Sequence, residues 1–240
     1  MLKTRVYIDG FNLYYGALRA SPYRWLNLFE MARLTLPKND VQCVTLFTAM
    51  VGPLPHDPDA PNRQKAYFRA LSSLPPESFQ IVLGHFLAKT ARMPLAEPPA
   101  AGSPMVRVIR TEEKGSDVNL AVHLVDDAAQ NRFEAAVVFS ADSDLYEAVR
   151  LAKEAYGKTV GVVIPQTLEN YRHKTRRRRC AELRRVASFT KDFIPDAALT
   201  GSLFPEVVKL PSGGTISRPA GWETAKPKSG LLPVAPAAPA

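Results

Sequence analysis

Four aspartates stand where this 240-residue sequence changes from one kind of pattern to another. Asp9 ends the apolar run "TRVYID", Asp142 and Asp144 follow "AAVVF" in "FSADSDLYEAV", and Asp117 opens the amphipathic stretch "SDVNLAVHLVDDAAQ". Taken singly, an acid at a strand end or helix start is a cap or turn residue, because its carboxylate accepts free backbone N–H groups there. Four acids from three segments on one rim ask for more than capping. Clustered carboxylates repel one another and hold protons tightly unless a cation lies among them. A cation bound by carboxylate oxygens alone is a hard one, which points to Mg2+ or Mn2+. Soft-metal and disulfide chemistry is not indicated: Cys43 and Cys180 form no Cys-x-x-Cys pair, and His56, His85, His123 and His173 are scattered.

The elements around these acids alternate. "TRVYIDG" reads as a short buried strand and "FNLYYGALRA" as a helix, followed by a strand over 41–50 and a helix over 60–74 that stops at Pro75-Pro76. A strand over 79–87, an exposed Pro-rich loop over 93–104 and an edge strand "MVRVIR" come next. The stretch 114–130 predicts a helix capped by Ser116, with Val118, Ala121, Leu124, Val125 and Ala128 on one face. Strand "AAVVF", a helix ending at Gly157, strand "TVGVVIP", a last helix "AELRRVASF" and a short strand complete the series. The fold class expected is α/β, a three-layer domain with a largely parallel central sheet over 1–194.

Ligands of an open parallel sheet bind beyond the carboxyl ends of the strands, near the switch in strand order. Asp9, Asp142 and Asp144 therefore share a rim, with Asn12 opening the first helix beside them. At about 100° per residue, Asp117 falls between Leu124 and Ala121 and on the side of Ala128, so it faces the crevice. His123 falls on the opposite side and stays outside the site.

Composition sets the outer limits. Hydrophobic residues make up 46% and charged residues 22%, as in ordinary soluble domains. No apolar run is long enough for a membrane span, and "MLKTR" leads into a strand without a signal-like apolar region, so the expectation is a cytoplasmic protein with no membrane partner. The net charge of +8 is concentrated: "RHKTRRRRCAELRR" alone carries +7. Arg172, Lys174, Arg176, Arg177, Arg178, Arg179, Arg184 and Arg185 are thus the expected contacts to a polyanion, independent of sequence and weakened by salt. Tyr14, Tyr15 and Trp25 could stack on bases, but their spacing favours core packing. Residues 195–240 hold eight of the 21 prolines and finish "LLPVAPAAPA", which predicts a mostly disordered tail.

At these residues the sequence resembles the NYN domains, a branch of the PIN-like nuclease superfamily. The matching pieces are "VYIDGFNLYYG", "KGSDVNLAV" and "FSADSDLYEAV", in the family's order, spanning about 1–190. The resemblance implies a Mg2+- or Mn2+-dependent phosphodiesterase acting on RNA. Carried onto this chain, Asp9, Asp117, Asp142 and Asp144 would hold the metal, with Asn12 as an accessory catalytic residue and Ser140 as a supporting hydrogen-bonder. Many relatives have an Asp where His123 stands.

"YIDGFNLYYGALRASPYRWLNL" is similar to a bacterial subgroup whose members are often named 6-hydroxy-3-succinoylpyridine hydroxylase. That likeness implies an NADH-dependent monooxygenase of nicotine degradation instead. No Gly-x-Gly-x-x-Gly follows a strand, and no Cys/His set could ligate haem or an iron–sulfur cluster. A non-catalytic RNA-binding module, for which the basic run suffices, is the third reading.

Overall fold

Strands that are apolar at consecutive positions are buried on both faces, and the centre of this molecule is built from them. The computed structural model describes residues 1–19, 21–53, 57–97, 102–172 and 180–222. In chain order, β1 (Leu2–Asp9), α1 (Gly10–Leu13), a π-helical turn (Tyr14–Leu18), α2 (Leu28–Thr35), β2 (Asn39–Thr48), α3 (Ala60–Leu71) and β3 (Phe79–Leu83) form the first half. A hairpin of β4 (His85–Pro94) and β5 (Met105–Lys114) follows, then α4 (Ser116–Ala129), β6 (Ala135–Phe139), a 3-10 turn (Ser143–Leu145), α5 (Tyr146–Glu154) and β7 (Thr159–Val163). The chain continues through α6 (Leu168–Arg172), α7 (Ala181–Val186), β8 (Phe189–Lys191), α8 (Asp196–Gly201), β9 (Val207–Lys209) and β10 (Thr215–Ser217).

Six strands pair in parallel in the order β3-β2-β1-β6-β7-β8. Neighbouring residues of one strand serve opposite layers, as the pleat demands. Val6 and Ile8 join Leu46, Val137 and Phe139 in a core closed by α2, α3 and α8, whereas Tyr7 joins Phe47, Ala136 and Val138 under α4, α5 and α7. This is the three-layer α/β fold the alternation predicts. No helix among the described residues is long and apolar enough to cross a membrane.

The far end of α4 is fastened to the sheet by Asp127, a buried carboxylate. It accepts hydrogen bonds from the Tyr7 hydroxyl at 2.6 Å, Arg5 Nη1 at 2.7 Å and Arg132 Nη1 at 2.6 Å. These contacts hold the carboxyl below its ordinary range against the opposing effect of burial, while burial, and then the bond to Asp127, lifts the Tyr7 hydroxyl far above its own.

Two regions differ from the sequence expectation. The apolar run 79–87 is not one strand: the Gly84 amide donates to Thr48 O at 2.7 Å, and beyond it the chain leaves the sheet. β4 then pairs antiparallel with β5 over their whole length, so "MVRVIR" belongs to a separate two-stranded hairpin and not to the sheet edge. A glycine inside a continuous apolar run conceals such a break.

Residues 195–222, expected to belong to the tail, carry packed structure. Ala198 and Leu199 of α8 and Val208 of β9 enter the core, Trp222 packs edge-on against the fully buried Trp25, and the Trp25 indole donates to Pro205 O at 2.8 Å. The prolines that suggested disorder sit at caps and turns here, with Pro195 preceding α8, where they break no ladder. Residues 223–240 lie outside the described residues.

Candidate functional site

The order of the strands reverses between β1 and β6, and both deliver polar residues at their carboxyl ends. Ile8 pairs with Phe139, so Asp9 and Ser140 emerge side by side. Asp9 is 2% exposed and caps α1: Oδ1 accepts the Asn12 amide at 2.9 Å, and Oδ2 accepts Asn12 Nδ2 at 2.6 Å and Ser140 Oγ at 2.9 Å. Burial raises its carboxyl above the ordinary value, and the Asn12 and Ser140 hydrogen bonds oppose the rise. Gly10 is required at the next position, because a Cβ there would meet Phe47 O and Thr48 Cβ at 2.9 Å.

Ser140 passes the network on. Its Oγ accepts the Asp142 amide at 3.0 Å, and Asp142 Oδ1 accepts the Asp144 amide at 3.0 Å, capping the 3-10 turn. Asp9, Asn12, Ser140 and Asp142 thus form one hydrogen-bonded chain across the switch point. Asp9 and Asp142 are caps and cluster members at once. Asp144 is exposed at the outer edge.

Asp117 arrives from the opposite layer. It lies in the first turn of α4, half-buried, on the side that carries Leu124 and Ala128 into the core. Its carboxyl is pushed up to about 7, first by burial and then by the charges of Asp9, Asp142, Glu113 and Asp144, all negative. His123 is exposed, its ring edge-on to Phe47.

The start of α4 also shows what sequence reasoning missed. The cap position is Gly115, at φ +92°, and Ser116 provides no side-chain cap. Glu113 does that work from β5, its Oε1 accepting the Ser116 amide at 2.9 Å. Ser116 Oγ is buried with no partner among the described residues. Glu113 was findable: strand alternation sets it opposite Glu112 in face, and it precedes the "KGSD" turn.

A divalent cation suits this donor set chemically: oxygen ligands only, mutual repulsion unrelieved, and an orphaned buried hydroxyl at its border. The carboxylates are not closed into a cage, however, for among the described residues no three His, Cys, Asp or Glu side chains stand together as a ready-made metal site. Mg2+ commonly takes one or two carboxylates and keeps its remaining waters, which asks less of the protein.

The basic residues divide. Arg172 is exposed at the end of α6, and α6 is tied to the π-helical turn, where Asn170 Nδ2 donates to Gly16 O at 2.8 Å. Arg185 is exposed on α7. Arg184 is not a free cation: half-buried, it ion-pairs with Asp192 and its Nε donates to Cys180 Sγ at 3.2 Å. A partly buried guanidinium is stabilised by such a partner. Lys174 and Arg176 to Arg179 lie outside the described residues.

Comparison with known proteins bears on this rim. The chain is 27% identical to 6-hydroxy-3-succinoylpyridine 3-monooxygenase HspA of Pseudomonas putida (strain DSM 28022 / S16), over 92% of this chain and 75% of that one. A crystal structure of a protein of unknown function from Vibrio parahaemolyticus RIMD 2210633 superposes with a TM-score of 0.48 at 16% identity, covering 85% of this chain and 96% of the other. The family model described as NYN domain matches residues 3–182, a span that includes every acid of the rim. With the three sequence pieces in order and the acids at one switch point, the chain belongs to the NYN domain family.

Proposed function

We propose that this protein is a Mg2+- or Mn2+-dependent ribonuclease that hydrolyses phosphodiester bonds of RNA. The observation that carries the reading is the convergence of Asp9, Asp117 and Asp142 at the β1/β6 switch point, expressed in an Asp117 carboxyl pushed up to about 7 by burial and by its acidic neighbours. Asp9, Asp117 and Asp142 would hold the ion, with Asp144 acting from the outer edge. When bound, such an ion supplies an activated water and charge neutralisation at the phosphate. Asn12 and Ser140 fix the Asp9 carboxylate by three hydrogen bonds with Asp142 in train, which keeps its remaining lone pairs in one direction. Arg172, Arg185 and the basic run that follows Arg172 in sequence would draw the RNA backbone to the rim.

Asp142→Asn tests this directly. Asparagine caps a helix as well as aspartate does, so the fold survives while the charge is lost. The expected outcome is unchanged thermal melting with Mn2+-dependent cleavage of single-stranded RNA reduced at least about 100-fold; wild-type cleavage by the variant overturns the proposal. The name of the Pseudomonas relative motivates a second reading, an NADH-dependent monooxygenase. Substrate-dependent NADH oxidation with stoichiometric oxygen uptake would select it. Salt-sensitive RNA binding with no cleavage under any divalent metal would leave a binding module.

A further inference from the structure

Beside the acidic rim, over the carboxyl end of β2, lies a second feature that the carboxylates do not explain. A cavity of about 310 Å³ opens one residue beyond Asp9, at Gly10 and Phe11, and is bounded by the π-helical turn, α3, the base of the β4–β5 hairpin and Trp222. Its size falls at the lower end of the roughly 300–1,000 Å³ of small-molecule sites.

Its walls are aromatic. Phe86 from the hairpin lies nearly parallel to Phe11, with ring centroids 6.5 Å apart and 7° between planes, and Phe11 is in turn stacked with Tyr15 at 6.5 Å. Tyr15 is 55% exposed and Tyr14 38%, so neither ring is held in the core as their spacing predicts; of the three aromatics only Trp25 is. The π-helical turn sets them on the cavity side, and such turns are frequent at functional sites.

Its charge is positive. Three arginines line it against one acid, and that acid, Asp57, is taken by Arg63 at 2.6 Å. Arg19 lies over the Tyr15 ring at 5.5 Å and Arg24 over Trp222 at 5.7 Å, both without a carboxylate partner among the described residues. Arg24 is held in place, its Nη2 donating to Gly221 O at 2.6 Å and its Nε buried. Flat rings and spare positive charge match a planar heterocycle that carries an anion.

We propose that this cavity is a nucleotide subsite. It receives the base of an RNA residue next to the phosphate held at the rim, stacking it on Tyr15 and Phe86, with Arg19 meeting the attached phosphate. The assignment rests on the ribonuclease reading for its choice of RNA. Stacking of this kind tolerates any base, so the subsite positions the strand and selects single-stranded over paired RNA.

The test is calorimetric titration of the full chain with AMP in EDTA, which keeps binding apart from cleavage. Tyr15→Ala is expected to weaken AMP about tenfold, Tyr15→Phe to stay within about twofold of wild type, and Arg19→Gln to weaken AMP while leaving adenosine unchanged. Both sites are exposed, and thermal melts check that the variants fold. No AMP binding by wild type at millimolar concentration, or equal binding by Tyr15→Ala, overturns the subsite. So does preferential binding of a hydroxypyridine bearing a carboxylate side chain. AMP binding that depends on Tyr15 in a protein that cuts no RNA with Mn2+ leaves the subsite standing and removes the nuclease reading.

Discussion

The two ends of α4 each place an aspartate against the sheet, and they treat it in opposite ways. At the C-terminal end Asp127 is enclosed by Tyr7, Arg5 and Arg132, and its carboxyl lies below the ordinary range. At the N-terminal end Asp117 is half-buried among other acids, and burial first and their charges next push its carboxyl up to about 7. One helix thus carries an acid that stabilises the fold and an acid the fold must tolerate. A site that holds unrelieved negative charge is one arranged for something brought from outside.

The largest effect should come from removing the unrelieved charge. Asp117→Asn is expected to lower Mn2+-dependent cleavage about 100- to 1,000-fold and yet to stabilise the metal-free protein at pH 8. The sign follows from linkage: below about pH 4 folded and unfolded chains both carry the proton, and between the ordinary 3.8 and about 7 the unfolded chain releases it first, so wild type loses stability as pH rises. Because water still reaches this half-buried group and screens it, the gain is on the order of 1–2 kcal/mol. Melts of both proteins from pH 4 to 8 should diverge with rising pH, and coincident curves would remove the contrast between the two ends.

Asp127→Ala should act the other way round. With the Tyr7 hydroxyl and Arg5 left without their acceptor, stability falls by about 2–4 kcal/mol, or roughly 5–15 °C in melting midpoint, while the folded fraction cleaves RNA at close to the wild-type rate. Its depressed carboxyl contributes stability above the ordinary value of 3.8 and loses it as pH falls through the folded value, so the deficit should vanish in strong acid. The smallest change belongs to Glu113→Gln. The amide retains an acceptor for Ser116 N, so denaturant melts should move by less than about 1 kcal/mol, while removing one of the charges that raise Asp117 shifts the pH dependence of the metal-free melts downward.

What could be read from sequence was whatever lies within one element or follows from strand order. Asp9 ends one apolar strand, Asp142 and Asp144 follow another within a few residues, and the inward side of Asp117 follows from helical spacing, so their common rim is legible in the sequence. The hairpin could not, because pairing of β4 with β5 is a long-range choice and the break at Gly84 leaves no mark on hydropathy. Glu113 was lost with it. Composition misjudged residues 195–222 for a related reason: a few apolar anchors such as Trp222 suffice to hold a proline-rich segment when the surface they cover is built elsewhere.

β1 stands between β2 and β6, and the hydrogen bond that joins the two halves of the rim, Ser140 Oγ to Asp9, links residues 131 apart. Parallel pairing at that separation is slow to form, since loop closure must precede any reward from contact. A growing chain that has completed β1, β2 and β3 therefore still has an open edge on β1 and no acidic rim. Asp9 and Asp142 first meet when β6 docks on β1, so the joining of the two halves of the rim and the joining of the two halves of the sheet are one event.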